Sequence, residues 1–299
     1  LANVQKPGRY VGGELNAVIK DKADVDVRFA FCFPDVYEVG MSHLGMKILY
    51  SVLNEQPDIW CERVFAPWVD MEEEMRKHDI PLFALESGDS VAEFDFIGFT
   101  LQYELSYTNI LNMLNLAGIP IRAQDRTDLF HIVVAGGPCA CNPEPLADFV
   151  DLFFIGEGEQ VDLEVIRLYQ ACKKEGKSKE EFLQKAAQIQ GVYVPSLYSV
   201  TYHDDGTIKE MIPHAAAPKT VRKRLELDMD KAYFPEKFVV PSIEIVHDRA
   251  VAEVQRGCIR GCRFCQAGFI YRPVREKSVD MINRQCRSIC EHTGYDEIS

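Results

Sequence analysis

Apolar runs of strand length alternate with stretches of helical period from about residue 25 to 175, and that alternation leaves few folds open. VDVRFAFCFP (25–34), ERVFAPW (62–68), DFIGFTL (95–101), HIVVAGG (131–137) and DLFFIGEGE (151–159) read as strands. Between them, the stretch 44–53 carries apolar residues at 44, 48, 49, 52 and 53, and 71–78 is a charged helix. SYTNILNMLNLAG (106–118) is a further helix, ended by Gly118 and Pro120. Strands separated by helices predict a parallel sheet covered on both faces, hence an α/β domain of doubly wound, Rossmann-like build.

In such a sheet, ligands bind beyond the carboxyl ends of the strands. The glycine-rich segments fall there: Asp35 to Gly45, Gly136 to Pro138, and Gly156 to Glu159. Gly136, Gly137, Gly156 and Gly158 are therefore candidates for close backbone approach to a ligand, with a tight bend as the plainer reading.

The chain has 299 residues and a formal net charge of -13, which argues against broad nucleic-acid affinity, since that needs many basic side chains facing phosphates. KTVRKR (219–224) reads as a solvated basic stretch. No apolar run approaches the ~20 residues of a membrane span, and the start is neither a signal nor a transit peptide, so a cytoplasmic protein is expected. Ten Cys without a secretory signal fit a reducing compartment, and Cys32, Cys61, Cys139, Cys141 and Cys172 read as mostly buried small hydrophobes.

The remaining chemistry is concentrated in EVQRGCIRGCRFCQAG, where Cys258, Cys262 and Cys265 stand at Cys-x3-Cys-x2-Cys spacing on one loop. Four-iron clusters normally take four Cys thiolates, so a three-thiol loop would leave one iron open to a substrate or cofactor. Gly257, Gly261 and Gly268 ease the tight fold such a loop needs. Structural zinc is the rival reading, with His247 or His292 as fourth ligand, but zinc sites usually divide their ligands into separated pairs. Cys286 and Cys290, one helical turn apart, read as core-facing.

Residues 1–24 form an amino-terminal arm, 25–175 the α/β domain, and 176–245 a connector. The connector holds a capping box at Ser178 and Glu181 and a hairpin over 199–211 turning at Asp205-Gly206. From 246 to 299, a strand (249–257), the cysteine loop and a helix (278–295) read as the opening unit of a barrel, whose active site would lie at the carboxyl ends of its strands. Leu1 in place of Met and a new strand beginning at DEIS suggest a piece of a longer chain.

The cysteine loop resembles that of the radical S-adenosylmethionine (SAM) enzymes. The resemblance implies a 4Fe-4S cluster on Cys258, Cys262 and Cys265, with SAM chelated to the fourth iron through its amino and carboxylate groups. It also implies Phe264 near the adenine and reductive cleavage of SAM to a 5'-deoxyadenosyl radical. An electron donor such as flavodoxin or ferredoxin and a partial (β/α)6 barrel follow from the same resemblance; the substrate is unknown. AGGPCACNPEPLADFVDLFFIGEGE and PDVYEVGMSHLGMKIL resemble the cobalamin (B12)-binding-type domain that precedes the barrel in one subgroup, and KPGRYVGGE, RVFAPWVDME, LQYELSYTN and IYRPVREKS match the same proteins.

Cobalamin domains that supply a lower cobalt ligand carry Asp-x-His-x-x-Gly. Here Asp35-Val36-Tyr37-Glu38-Val39-Gly40 places Tyr37 in the histidine position, and a protonated phenol is a poor cobalt ligand. Cobalamin without a protein ligand, cobalamin with His43 recruited, and no cobalamin all stay open. The downstream reaction is cobalamin-assisted methyl transfer or direct hydrogen-atom abstraction. A nonenzymatic iron-sulfur or cobalamin-sensing protein is the alternative, and an RNA substrate would rest only on arginines near the cluster such as Arg272 and Arg275.

Overall fold

A computed structural model describes all residues, 1–299. Its centre is a six-stranded sheet of order β2-β1-β3-β4-β5-β6. The strands are β1 (Val27–Phe33), β2 (Ile59–Phe65), β3 (Phe96–Thr100), β4 (Ile132–Gly136), β5 (Leu152–Phe154) and β6 (Val192–Tyr193). The first five are parallel and β6 runs antiparallel to β5. All seven residues of β1 are buried, as a central parallel strand covered on both faces requires.

The helices in chain order are α1 (Tyr37–Gly40), α2 (Leu44–Asn54), α3 (Val69–Lys77), α4 (Tyr107–Leu116), α5 (Gly158–Lys174), α6 (Lys179–Ala186), α7 (Ala267–Ile270) and α8 (Val279–Thr293). Because side chains alternate along a strand, β1 feeds two cores. Phe29, Phe31 and Phe33 pack under α2, α5 and α6, while Ala30 and Cys32 face α3 and α4. Each large apolar side chain buried this way contributes roughly 1.5–3 kcal/mol.

The first core continues past residue 175, because Phe182, Leu183 and Ala186 of α6 and Val192 of β6 belong to it. The capping box at α6 forms, with Glu181 N donating to Ser178 Oγ at 3.2 Å and Ser178 N to Glu181 Oε2 at 2.9 Å. β7 (Tyr198–Tyr202) and β8 (Ile208–Pro213) make the hairpin, and its turn is held by Thr207 N donating to Asp205 Oδ1 at 3.0 Å.

Two expectations are corrected. The run 151–159 is strand only over Leu152–Phe154, since Gly158 and Glu159 already open α5. The strand expected over 249–257 reduces to β9 (Gln255–Arg256), paired antiparallel with β10 (Arg275–Glu276). A strand exists only where a partner lies beside it, and over 249–254 the backbone finds only isolated bonds, at Ala250 and Ala252 to the chain's last residues and at Val254 to Lys277. There Ala250 bridges Ile298 in parallel, with Ala252 N donating to Ser299 O at 2.9 Å. No helix is long and apolar enough to cross a membrane.

The amino-terminal arm is tied down by buried charge. Arg63 on β2 is 2% exposed and binds Glu14 at 2.9 Å and Glu86 at 2.6 Å. Lys20 donates to the carbonyls of Asn54 at 2.9 Å and Gln56 at 2.6 Å. Further on, Asn16 donates to Phe238 O at 2.9 Å and His292 O at 3.0 Å, so the arm reaches both halves of the chain.

Candidate functional site

Chain order reverses between β1 and β3, and a cavity opens at the carboxyl ends of these strands. Its outer part, about 400 Å³, lies between the sheet edge and the β9–β10 hairpin, with Gly137, Gly156, Gly158, Lys223, Arg256 and Tyr271 on its walls. An inner slot of about 200 Å³ runs down onto Phe31, Val134 and Phe154 and takes in Gly136, Gly137, Gly156 and Gly158. All four glycines singled out in the sequence thus line one space.

Gly156 has a further reason to be glycine. Its φ is +111°, and a Cβ there would sit 2.1 Å from Arg224 O, because the chain at Arg224 crosses it. Arg224 N donates to Ile155 O at 2.8 Å and Glu157 N to Arg224 O at 3.1 Å. Residues 219–224 are therefore not simply a solvated stretch. Arg224 carries this crossing, and Lys223 donates to Ile270 O at 2.8 Å and also to Arg272 O.

The glutamates of the GEGE turn point at the cysteine hairpin. Glu159 pairs with Arg256 at 2.6 Å and Glu157 with Arg275 at 2.7 Å. Arg256 also holds Glu253 at 2.8 Å, and Lys277 holds Glu253 at 3.3 Å. Burial works against the Arg256 charge, but its acidic partners outweigh that and raise its pKa further. Arg275 is 8% exposed and committed to Glu157, which takes it out of the role of a surface phosphate contact.

The hairpin carries Cys258, Cys262 and Cys265 in its connecting loop. Gly257 starts the loop at φ +105°, where a Cβ would meet Pro273 O and Tyr271 O at 2.6 Å, so the loop's two ends lie against each other. Cys265 N donates to Cys262 O at 3.1 Å, curving the segment between the second and third thiols. The three thiols do not gather into a metal-holding group. The donor set, three thiols on one short loop, fits three corners of an iron-sulfur cluster. Phe264 is 94% exposed and packs on nothing. Neither histidine of the zinc reading joins the thiols; the His292 ring bonds Ser288 O at 2.7 Å on its own helix.

Tyr37 lies outside the cavity. It is 1% exposed, its hydroxyl donates to Glu14 Oε1 at 3.0 Å, and its ring packs edge-on against Phe65. The expectation of a cofactor contact there is corrected, because the one-turn helix α1 aims the phenol into the charge network of the arm. His43 does line the cavity, but its Nδ1 accepts from Met46 N at 3.1 Å as the cap of α2. Burial lowers its pKa, so the ring is neutral and carries its proton on Nε2. It presents a donor, not a lone pair, and the residues present do not fit a histidine-ligated corrinoid.

Cys141 departs from the expected burial: it is exposed and lines the cavity, while Cys32, Cys61, Cys139 and Cys172 are buried. Cys286 and Cys290 are half-buried on α8, with Cys290 against Phe238 and Ile289. The residue that sequence reasoning missed is Asp162. It stands within the apolar stripe Val161, Val165, Ile166 and Tyr169 of α5, and an acid in such a stripe was the available signal.

A model of the family described as radical SAM proteins, N-terminal, matches residues 45–195, half of the chain, and the chain belongs to that family. It is 28% identical over 255 residues to an uncharacterized protein of Methanocaldococcus jannaschii, covering 84% of this chain and 43% of that one. The structure of the radical SAM methyltransferase TsrM from Kitasatospora setae, with tryptophan substrate and the SAM analog aza-SAM bound, is similar with a TM-score of 0.49 at 12% identity. That match covers 91% of this chain and 47% of that one. The chain spans less than half the length of either protein.

Proposed function

We propose that the complete protein is a radical SAM enzyme in which Cys258, Cys262 and Cys265 hold a 4Fe-4S cluster whose open iron takes SAM. The observation that carries this reading is the position of the three-thiol loop: its hairpin is fastened by ion pairs to the GEGE turn at the cavity mouth. When bound, the cluster supplies the single electron for reductive cleavage of SAM. The chain's own residues place and shield that chemistry. Gly257 lets the loop ends meet, Lys223 pins the segment between α7 and β10 through the carbonyls of Ile270 and Arg272, and the sheet edge closes the space from the other side.

The parallel bridge between Ala250 and Ile298, with α8 between them, supports an opening strand-loop-helix unit of a partial (β/α)6 barrel. The α/β unit is the counterpart of a cobalamin-binding-type domain, and a corrinoid held in it would carry no protein imidazole on cobalt. Methyl transfer follows if a corrinoid is retained and hydrogen-atom abstraction if it is not. The electron comes from a donor of the flavodoxin or ferredoxin kind.

The test uses the protein extended to a complete barrel, reconstituted without oxygen, and supplied with SAM and a chemical reductant. Production of 5'-deoxyadenosine that disappears in Cys262→Ala is expected. Full production by that variant ends the assignment.

A further inference from the structure

We propose that the inner slot is a binding site for an uncharged, flat heteroaromatic group, and that the Asp162 carboxyl is the side chain that bonds to its edge. The proposal rests on the reading of the cavity as a ligand site and requires nothing of the cluster.

Asp162 sits on α5 one turn after Gly158, is 4% exposed, and lines the slot. Its Oδ1 is wholly buried and has no hydrogen-bond partner. A buried polar atom left this way costs roughly 1–3 kcal/mol, and a bound group that completes the bond offsets that cost. The Cβ that Gly158 lacks would lie 3.3 Å from Asp162 Oδ2 and 3.1 Å from Leu49 Cδ2, so a side chain at 158 would crowd the carboxyl.

The chemistry of the walls selects the ligand. No lysine or arginine lines the slot, and the charged neighbour acting on Asp162 is Glu159, of like sign. Burial and that neighbour raise the carboxyl's pKa and so favour its neutral, hydrogen-bond-donating form. Phe31, Val134 and Phe154 are apolar, and Gly136 and Gly158 leave the walls without side chains, which suits a flat ring. His43, Thr100 and Gln102 supply the other polar edge, where Gln102 Nε2 donates to Thr100 Oγ1 at 2.5 Å. About 200 Å³ admits a ring system and little more.

Calorimetric titration of the 299-residue chain with adenine, and separately with the cation benzylamine, tests this. Adenine is expected to bind, Asp162→Asn to hold it within about threefold, and Asp162→Ala to weaken it at least tenfold. Asp162→Ala removes an unpartnered buried carboxyl, so its melting temperature at or above that of the parent certifies its fold. Gly136→Val is a second probe. A Cβ there makes only ordinary 3.5 Å contact with Phe154, so the larger side chain enters the slot and adenine binding is lost. Absence of adenine binding, unchanged affinity in Asp162→Ala or Gly136→Val, or tighter binding of benzylamine than of adenine would each overturn the proposal. None of these readouts involves SAM cleavage, so the slot and the enzyme assignment fail separately.

Discussion

The Arg256 guanidinium donates to the Glu159 carboxylate across 2.6 Å, joining the hairpin that bears the cysteine loop to the first turn of α5. Both side chains are mostly buried, so the pair is far less screened than a surface contact. Through it, the position of the loop is set by the same turn that lines the cavity.

Separating these partners is expected to loosen the hairpin without unfolding the sheet. A double-mutant cycle on Glu159→Gln and Arg256→Met should give a coupling of about 1–3 kcal/mol. Amide exchange at Gln255, Arg256, Arg275 and Glu276 should quicken while β1 and β3 stay protected.

Arg63→Met leaves Glu14 and Glu86 buried without their cation, and urea unfolding should report a loss of about 3–5 kcal/mol. Burial alone would raise the Glu14 pKa, but the Arg63 charge and hydrogen bonds outweigh it and leave the carboxyl below its ordinary value. A depressed folded pKa means that the stabilisation is complete above the unfolded carboxylate value of about 4.3 and is lost as pH falls through the folded one. The parent should therefore lose more stability than Arg63→Met over that acidic window.

Lys47 on α2 is buried over Phe238 at 4.9 Å, its Nζ has no hydrogen-bond partner, and burial lowers its pKa to about 8. The folded state thus penalises the charged form. The penalty is full below about pH 8 and is relieved as pH rises toward the unfolded value of about 10.4. Lys47→Met should raise stability at pH 7 by about 1–3 kcal/mol, and its advantage should shrink by pH 10 in paired thermal melts.

Gly156→Ala should displace the chain at Arg224, since its Cβ would lie 2.1 Å from a carbonyl oxygen on a backbone at φ +111°. A cost of more than 2 kcal/mol is expected from the clash and the strained conformation together. Parental stability in this variant would mean that the crossing at Arg224 is not fixed.

The parallel strands were legible because burial on both faces writes itself as continuous apolar runs such as VRFAFCF. The glycines at 136, 137, 156 and 158 were legible as turns, and they line one cavity. The duties of Glu157 and Glu159 were not, because their partners stand about a hundred residues away and no local pattern encodes a distant ion pair. β6 is two residues long and defined by pairing with β5, which leaves no periodicity to read. Asp162 was hidden for another reason: its side chain is read through what it lacks.

Asn16 bonds carbonyls at Phe238 and His292, and Leu15 bridges Val240. A ribosome releases residue 16 long before it has made residue 292. The arm must therefore wait until α8 has been made, held meanwhile by its contacts to earlier residues such as Glu38, Tyr50, Asn54 and Arg63. The seam that joins the first residues to α8 closes only once residue 292 has been made, and a chain released before α8 would carry that stretch loose.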